Sequence, residues 1–226
     1  MKNLRDLELK DLKKLLEEMG EKPFRAKQIY TWLHQNLVEH YDEMTNISKG
    51  LRDRLSAEYS VALPETVEVL TSKIDGTKKF IFRMQDGHVI ESVWMEYQHG
   101  HSVCISSQVG CRMGCKFCAS TLDGLARNLT SGEMLGQIYQ IQRTTGARVD
   151  NIVIMGSGEP LDNYDEFTRF IRMISDENGL HISRRNITIS TCGLVPKIRQ
   201  LADENYGITL ALSLHAPNDE TRKTLM

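Results

Sequence analysis

No long apolar run occurs anywhere in the 226-residue chain. The N-terminal stretch MKNLRDLELKDLKKLLEEMG carries charges throughout, so it lacks the apolar centre of a secretory signal. No other segment approaches the roughly 18 apolar residues that a membrane-spanning helix needs. We therefore predict a cytoplasmic protein with no membrane partner.

The chain also lacks an excess of charge of either sign. Its 28 Lys and Arg residues are balanced by 30 Asp and Glu residues, which leaves a net charge of -2. Composition alone therefore does not predict nucleic-acid binding. Neither an internal repeat nor a low-complexity tract is present, and 40% hydrophobic residues can fill the core of one large domain plus a smaller one.

Cysteine is scarce and unevenly placed. Three of the five cysteines lie within eight positions of the stretch GCRMGCKFCAST, residues 110–121. An odd, crowded set is a poor disulfide framework and favours a metal or catalytic site. The spacing Cys-x3-Cys-x2-Cys fits a cubane iron–sulfur cluster in which one iron has no protein ligand and is open to a cofactor. Zinc is the alternative, and its fourth ligand would come from one of four side chains, those of His99, His101, Cys104 and Cys192.

Hydrophobic periodicity divides the chain into parts 1–62, 63–101 and 102–226. The first part is helical, and we predict that Pro23 opens a helix with one broad apolar face. That face would hold Phe24, Ile29, Trp32, Leu33 and Leu37. The second part is two-periodic and contains two Asp-Gly dipeptides, 75–76 and 86–87, which predict an antiparallel meander of three short strands.

The third part alternates short apolar strands with amphipathic helices. The predicted strands are 102–108, 151–156, 186–191 and 208–215. Helices that cross between successive strands predict a parallel sheet. The sequence thus predicts an α/β fold with about four βα units, either an open sheet or the front part of a longer barrel.

Residues capable of chemistry follow the ends of these strands, where α/β sheets place their sites. The three clustered cysteines follow the first strand. The later strands are followed by GSGEP (156–160), STCG (190–193) and SLHAP (213–217). Taken singly, these segments are ordinary turns, but together they predict four loops around one mouth. The GSGEP turn would let a ligand approach backbone amides, and Glu159 could accept a bond from an ammonium group.

The segment CRMGCKFC resembles the cluster motif of the radical-SAM superfamily. Four longer segments, SVCISSQVGCRMGCKFCAST, IVIMGSGEPLDNY, ITISTCGLVP and ALSLHAPND, resemble the RlmN and Cfr family of RNA adenine methyltransferases, nearer the RlmN branch. The resemblance extends over essentially the whole chain, including GEKPFRAKQIYTWL and YDEMTNIS near the N-terminus. It implies a partial radical-SAM (β/α) barrel, a [4Fe–4S] cluster and S-adenosyl-L-methionine.

The resemblance also assigns residues. It implies that the cluster ligands are Cys111, Cys115 and Cys118. It implies contacts with S-adenosylmethionine from six residues, which are Gly158, Glu159, Ser190, Ser213, Leu214 and His215. Glu91 would be the proton acceptor and Cys104 the partner cysteine. Without the resemblance, Glu91 would be read as a solvated strand carboxylate and Cys104 as a buried inert thiol.

The activity implied is methylation of carbon 2 of adenosine in 23S rRNA and tRNA. That carbon bears an unactivated hydrogen, so polar methyl transfer would fail and a radical route is required. In the family a C-terminal cysteine carries the methyl group. Glu91 would remove the ring proton, and Cys104 would form a disulfide with the carrier to release the product. A low-potential electron donor, of the flavodoxin or ferredoxin type, is the further partner implied.

Two residues depart from the family pattern, Ser157 where Met is usual and Cys192 in STCG where STSG is common. The family's methyl-carrying cysteine lies beyond residue 226, so we expect an inactive fragment whose fourth strand is an aggregation-prone edge. RNA contact is expected at Lys22, Arg25 and Lys27, for which a solvated surface is the alternative.

Three other functions stay open at this point. They are carbon-8 methylation of the Cfr type, a different radical-SAM activity such as activation of a glycyl-radical enzyme, and a zinc-bound RNA-binding module without catalysis.

Overall fold

The computed structural model describes residues 1–226, and its N-terminal part is helical. The helices are α1 (Leu9–Glu18), α2 (Phe24–His34) and α3 (Lys49–Glu58). Two-residue strands β1 (Lys2–Asn3) and β2 (Tyr59–Ser60) pair in parallel and bring the ends of this part together. None of the helices in the chain has the length and apolar character needed to span a bilayer.

The predicted apolar face of α2 is only partly correct. Ile29 and Leu33 are fully buried, but the Phe24 side chain is 51% exposed. Phe24 is the first residue of the helix, so its ring projects past the core and lies under the guanidinium of Arg25, 5.0 Å from it. Leu37 is buried, although it follows the helix and has a left-handed φ of 55°.

One seven-stranded sheet runs through the rest of the chain. Its strands in chain order are β3 (Glu65–Thr71), β4 (Lys78–Arg83), β5 (Val89–Tyr97), β6 (Gly100–Cys104), β9 (Asn151–Ile154), β10 (Ile187–Thr191) and β11 (Thr209–Leu212). In space the order is β11-β10-β9-β6-β5-β4-β3. Two further strands, β7 (Gln108–Gly110) and β8 (Leu125–Asn128), form a separate antiparallel pair.

The four βα units predicted from the sequence are confirmed. Strands β6, β9, β10 and β11 are mutually parallel, and each precedes a helix. These helices are α4 (Ser131–Thr145), α5 (Tyr164–Ile174), α6 (Val195–Glu204) and α7 (Asp219–Leu225). The arrangement is an incomplete β/α barrel.

The predicted meander forms β3, β4 and β5, with Gly76 and Gly87 at positive φ in the two turns. It pairs antiparallel with β6 and so extends the barrel sheet instead of forming a sheet of its own. The boundaries between parts 1–62, 63–101 and 102–226 stay predictions, since the sheet crosses the second of them.

The first barrel strand is shorter than the predicted 102–108. It ends at Cys104, and the backbone N–H groups of Ser107 and Gln108 donate instead to the Ser157 carbonyl, at 2.9 and 3.1 Å. The other three strands are also shorter than predicted. Strand β9 ends two residues early, β10 starts one residue late, and β11 starts one residue late and ends three residues early. The polar residues that follow β6, β9 and β11 belong to loops at the mouth of the barrel, whereas Ser190 lies within β10.

Local capping explains why α4 begins and ends where it does. The Thr130 hydroxyl accepts from the Glu133 N–H and the Glu133 carboxylate accepts from the Thr130 N–H, at 3.1 and 2.9 Å. Gly146, at a φ of 68°, ends the helix. The reciprocal hydrogen bonds of Thr130 and Glu133 satisfy two of the N–H groups that the start of a helix leaves without partners.

Buried polar contacts fasten the helical part to α4. The Arg5 side chain is fully buried and donates to the carbonyls of Leu33, at 3.0 Å, and Val38. His34 is also fully buried, and its Nδ1 lies 2.7 Å from the hydroxyl of Tyr139 on α4. The two parts therefore share one hydrophobic core.

Candidate cofactor and active site

A cavity of about 210 Å³ opens at the C-terminal ends of the parallel strands. Its wall contains residues from the loops after β6, β9, β10 and β11, as the sequence predicts. The predicted residues in the wall are Cys111, Cys115, Cys118, Gly158, Glu159, Ser190, Ser213 and His215. Leu214 lies outside the wall and its side chain is 56% exposed. The roles of these residues stay predictions, but the structure brings eight of the nine together.

The cluster loop, residues 111–124, leaves the sheet between β7 and β8 and is closed at its base. The Cys111 N–H donates to the Gly124 carbonyl at 3.0 Å. Gly110 precedes it at a φ of 74°, and a Cβ there would lie 2.0 Å from that same carbonyl oxygen. Inside the loop, the Thr121 hydroxyl lies 2.9 and 2.8 Å from the carbonyls of Cys115 and Cys118. The two cysteines are thereby held on one turn.

Burial raises the pKa of the Cys111 and Cys115 thiols. At Cys115 the neighbouring Cys118 acts in the same direction, while the positive charge of Arg222 acts against it. Thiolates are the form that ligates metal, so binding must release protons from these groups.

The donor set fits a cube better than a single ion. No three His, Cys, Asp or Glu side chains converge on a point where one metal ion could be held. Zinc requires four donors around one point, whereas a [4Fe–4S] cube takes each thiolate on a different iron. The three thiols in the cavity wall would each hold one iron of such a cube, which would leave the fourth iron without a protein ligand.

Glu159 joins two of the loops around the cavity. Its side chain is buried, and its carboxylate oxygens accept the N–H groups of Leu161 and Cys192, at 3.1 and 2.8 Å. The Glu159 N–H in turn donates to the Gln108 side chain at 2.8 Å. A carboxylate has about four acceptor positions, so these two N–H groups do not exhaust its capacity to bind a ligand in the cavity.

The GSGEP turn depends on glycine at residue 158. Gly158 has a φ of 101°, and a Cβ there would lie 2.5 Å from the Gln108 Cβ. The neighbouring Ser157, one of the two departures from the family pattern, places its hydroxyl 3.1 Å from that of Ser120 in the cluster loop. The second and first loops of the mouth are therefore in direct contact.

The other departure, Cys192, contributes a fourth thiol to the cavity wall. Burial raises the pKa of this thiol to about 12, and the Glu159 carboxylate adds to the effect.

The serine pair and His215 come from the two strands nearest the open edge. Ser190 is the penultimate residue of β10, and its hydroxyl lies 2.9 Å from that of Ser213. His215 has a left-handed φ of 59°, and its ring packs edge-on against Phe117 of the cluster loop with centroids 4.7 Å apart. The fourth loop thereby reaches across the cavity to the first.

Glu91 and Cys104 lie outside the cavity wall but on the inner face of the sheet. Val103 and Ile105, the neighbours of Cys104 in the chain, are fully buried on the opposite face. Because side chains alternate along a strand, Cys104 lies on the inner face. Val93 on β5 pairs with Cys104, so Glu91, two residues earlier, lies on the same face and nearer the mouth. The Glu91 carboxylate is 54% exposed and pairs with the Lys79 ammonium on β4 at 2.6 Å. Burial raises the pKa of the Cys104 thiol.

Sequence reasoning missed three residues of this region, Lys79, Gln108 and Arg222. The two Asp-Gly turns fix the register of the meander, and that register would have placed Lys79 beside Glu91. Gln108 and Arg222 gave no signal, because their partners are backbone and side-chain groups far away in the sequence, whose positions depend on the folded barrel.

Comparison with known proteins agrees with this geometry. Residues 2–61 match the family described as the ribosomal RNA large subunit methyltransferase N-terminal domain. Residues 105–226, more than half of the chain, match the radical SAM superfamily.

Individual relatives extend the likeness to the whole chain. A probable dual-specificity RNA methyltransferase RlmN from Lachnoclostridium phytofermentans is 62% identical over 99% of this chain and 63% of its own length. The protein of the same description from Lachnospira eligens is 56% identical over 100% of this chain and 65% of its own length. This chain therefore spans less than two thirds of the length of these curated relatives.

A solved structure shows the same fold. The crystal structure of a radical SAM methyltransferase from Sphaerobacter thermophilus is 42% identical and superposes with a TM-score of 0.94, covering 100% of this chain and 67% of that one. The resemblance read from the sequence motifs is confirmed, and the chain belongs to the RlmN family of the radical SAM superfamily.

Proposed function

We propose that the protein is a radical-SAM RNA methyltransferase that methylates carbon 2 of adenosine in 23S rRNA and in tRNA. The observation that carries the proposal is the convergence of four strand-end loops, with three thiols, the GSGEP turn and a serine pair, on one cavity. Relatives described as dual-specificity RNA methyltransferases support the RNA substrates.

Members of the radical SAM superfamily use a [4Fe–4S] cluster and S-adenosyl-L-methionine. In this chain, Cys111, Cys115 and Cys118 would hold the cluster by one thiolate each. When bound, the cluster supplies the electron that cleaves the sulfonium cosubstrate. A low-potential donor of the flavodoxin or ferredoxin type would provide that electron, and the cytoplasm would keep the thiols reduced.

The chain's own residues would bind and orient the cosubstrate. Glu159 and the Gly158 backbone would bind its methionine end, since the carboxylate has acceptor positions free and the turn is open to the cavity. The hydroxyls of Ser190 and Ser213 can both donate and accept, and His215 and Leu214 would border the rim. The packing of Phe117 against His215 links the cluster loop to the fourth loop at the rim of the cavity.

Glu91 would accept the ring proton of the adenine. Its exposed carboxylate, on the inner face and near the mouth, is open to a base that enters from solution. Cys104 lies deeper on the same face and would form the product-releasing disulfide with the family's methyl-carrying cysteine.

RNA contact would fall to the helical part. Lys22 and Lys27 are exposed, whereas Arg25 is half-buried and its guanidinium already donates to Gln28 and to the Asn46 carbonyl, at 2.8 and 3.0 Å. The two lysines therefore remain as the RNA-contacting residues proposed.

Anaerobic reconstitution with iron and sulfide tests the cofactor site. We expect brown protein with about four irons per chain, and a Cys115→Ala variant that loses most of them. Cys104→Ala is the control, because Cys104 lies outside the cavity wall, and it should assemble the cluster normally. Colourless protein with one zinc ion would overturn the proposal.

The position of methylation is tested by incubating the reconstituted protein with RNA fragments. Mass spectrometry of digested 23S rRNA and tRNA should find 2-methyladenosine. Formation of 8-methyladenosine instead would place the protein in the Cfr branch and contradict the proposed chemistry.

A further inference from the structure

Helix α7 lies at the rim of the cavity and contacts three of its four loops. The Leu225 carbonyl accepts the Lys116 N–H of the cluster loop at 2.8 Å. The Arg222 Nε donates to the Leu214 carbonyl at 3.2 Å, and its Nη2 donates to the Cys192 carbonyl. One short helix therefore fastens the loops after β6, β10 and β11 to one another.

The two carbonyls that Arg222 binds belong to the loops that present the serine pair. Cys192 follows Ser190 by two residues, and Leu214 directly follows Ser213. The hydrogen bond between the two serine hydroxyls requires a fixed separation of these loops. The planar guanidinium, which donates in two directions, is suited to set that separation.

Arg222 also lies beside a strained residue. His215 is not glycine, yet it has a φ of 59°, a conformation that is strained for a residue with a Cβ and must be held by surrounding contacts. The carbonyl just before it, that of Leu214, accepts both from Arg222 and from the Ala216 N–H, the latter at 2.8 Å. These bonds hold the fourth loop in the form that points His215 toward Phe117.

The charge of Arg222 is not neutralised. It forms no salt bridge with a carboxylate, and its Nη2 donates to the carbonyl of Cys192, a residue of the cavity wall. Arg112, the other arginine near this mouth, is instead paired in a bidentate manner with Asp162. Arg222 is thus a fixed positive charge beside a site that would hold three thiolates.

We propose that Arg222 is a positioning residue of the cofactor pocket, which sets the separation of the third and fourth loops and provides a positive charge that favours the reduced cluster. The inference rests on the proposed function, since it assumes that the three thiols hold the cluster. Nearby charge and hydrogen bonding are established determinants of iron–sulfur potentials.

Three variants of the 226-residue chain, reconstituted anaerobically, separate the two effects. Arg222→Gln removes both the charge and the planar guanidinium that donates in two directions. Arg222→Lys keeps the charge but loses that guanidinium. Lys223→Gln is the matched control. Lys223 is the next residue of α7, is exposed and has no hydrogen bond to the loops. Each variant is measured for iron content, affinity for S-adenosylmethionine by equilibrium titration, and cluster midpoint potential by redox titration followed by electron paramagnetic resonance.

Arg222→Gln should keep its iron content, bind S-adenosylmethionine about tenfold more weakly and have a lower midpoint potential. Arg222→Lys should restore the potential but not the affinity, and Lys223→Gln should change neither. An Arg222→Gln chain with both properties unchanged, or a Lys223→Gln chain with the same shifts, overturns the inference while the wild-type cluster still supports the proposed function. A wild-type chain that assembles no cluster overturns both.

Discussion

At the scale of single residues, the cavity depends on a backbone conformation that only glycine adopts without strain. Gly158→Ala should lower the free energy of unfolding by about 3 kcal/mol, because the left-handed φ and the 2.5 Å approach to Gln108 penalise any Cβ. Chemical denaturation measures this. Gly50→Ala is the control, since Gly50 lies in α3 with nothing within 4 Å of a Cβ, and it should leave stability unchanged or slightly raised. Equal effects of both substitutions would contradict the argument.

Glu159 is the second residue whose replacement should be costly. In Glu159→Gln an amide NH₂ replaces one of two oxygens that accept backbone N–H groups, so a donor faces a donor. We expect a loss of about 1–3 kcal/mol of stability together with weaker binding of S-adenosylmethionine. Denaturant titration and ligand titration measure the two effects. Glu58→Gln, at an exposed position at the end of α3, should change neither stability nor ligand binding. Equal effects of the two substitutions would contradict the role assigned to Glu159.

At the scale of elements, the docking of the helical part on α4 should depend on pH. Burial lowers the pKa of His34 well below its ordinary value, and the positive charge of Arg5 adds to this. At His34, the unfolded chain takes up a proton near pH 6.5 and the folded chain does not. The contribution of neutral His34 to the free energy of unfolding is therefore complete above that pH and is lost as the pH falls below it. Between pH 7 and pH 5 the loss is about 2 kcal/mol.

Unfolding titrations at a series of pH values test this dependence. His34→Asn keeps an acceptor for the Tyr139 hydroxyl without a titrating group, so its stability should fall less between pH 7 and pH 5 than that of the wild type. His99→Gln, in the exposed turn between β5 and β6, should keep the wild-type slope. A His34→Asn slope equal to that of the wild type would refute the assignment.

Local signals explain which elements were predictable. The capping pair of Thr130 and Glu133 fixes the start of α4, and the Asp-Gly turns fix the meander. The strand at 102–108 was predicted too long, because Ile105 to Gln108 bond to the GSGEP loop, a contact far away in sequence. The contacts of buried Arg5 and His34 could not be predicted from the sequence either, because their partners come together only in the folded core. The loop positions of the site followed from strand order, but the contacts of Arg222 did not.

At the scale of the whole molecule, the two edges of the sheet differ in protection. Edge strand β3 carries Glu65 and Glu68 and has a register shift between Thr66 and Glu68. Both features discourage pairing with another chain. Edge strand β11 reads TLAL, has no charge, and leaves Leu210 39% exposed and Leu212 53% exposed. The molecule therefore has one open edge that can accept a further strand.

This asymmetry predicts concentration-dependent self-association of the 226-residue chain through β11. Leu210→Lys places a charge on that edge while its methylene stem still covers the neighbouring surface, so the monomer fraction should rise. Sedimentation velocity over a range of concentrations measures it. Ile74→Lys is the matched control, because Ile74 is 98% exposed in the β3–β4 turn but has no free strand edge, and its substitution should leave association unchanged. Were Ile74→Lys to dissolve the oligomers equally well, general surface hydrophobicity and not the open edge of β11 would be their cause.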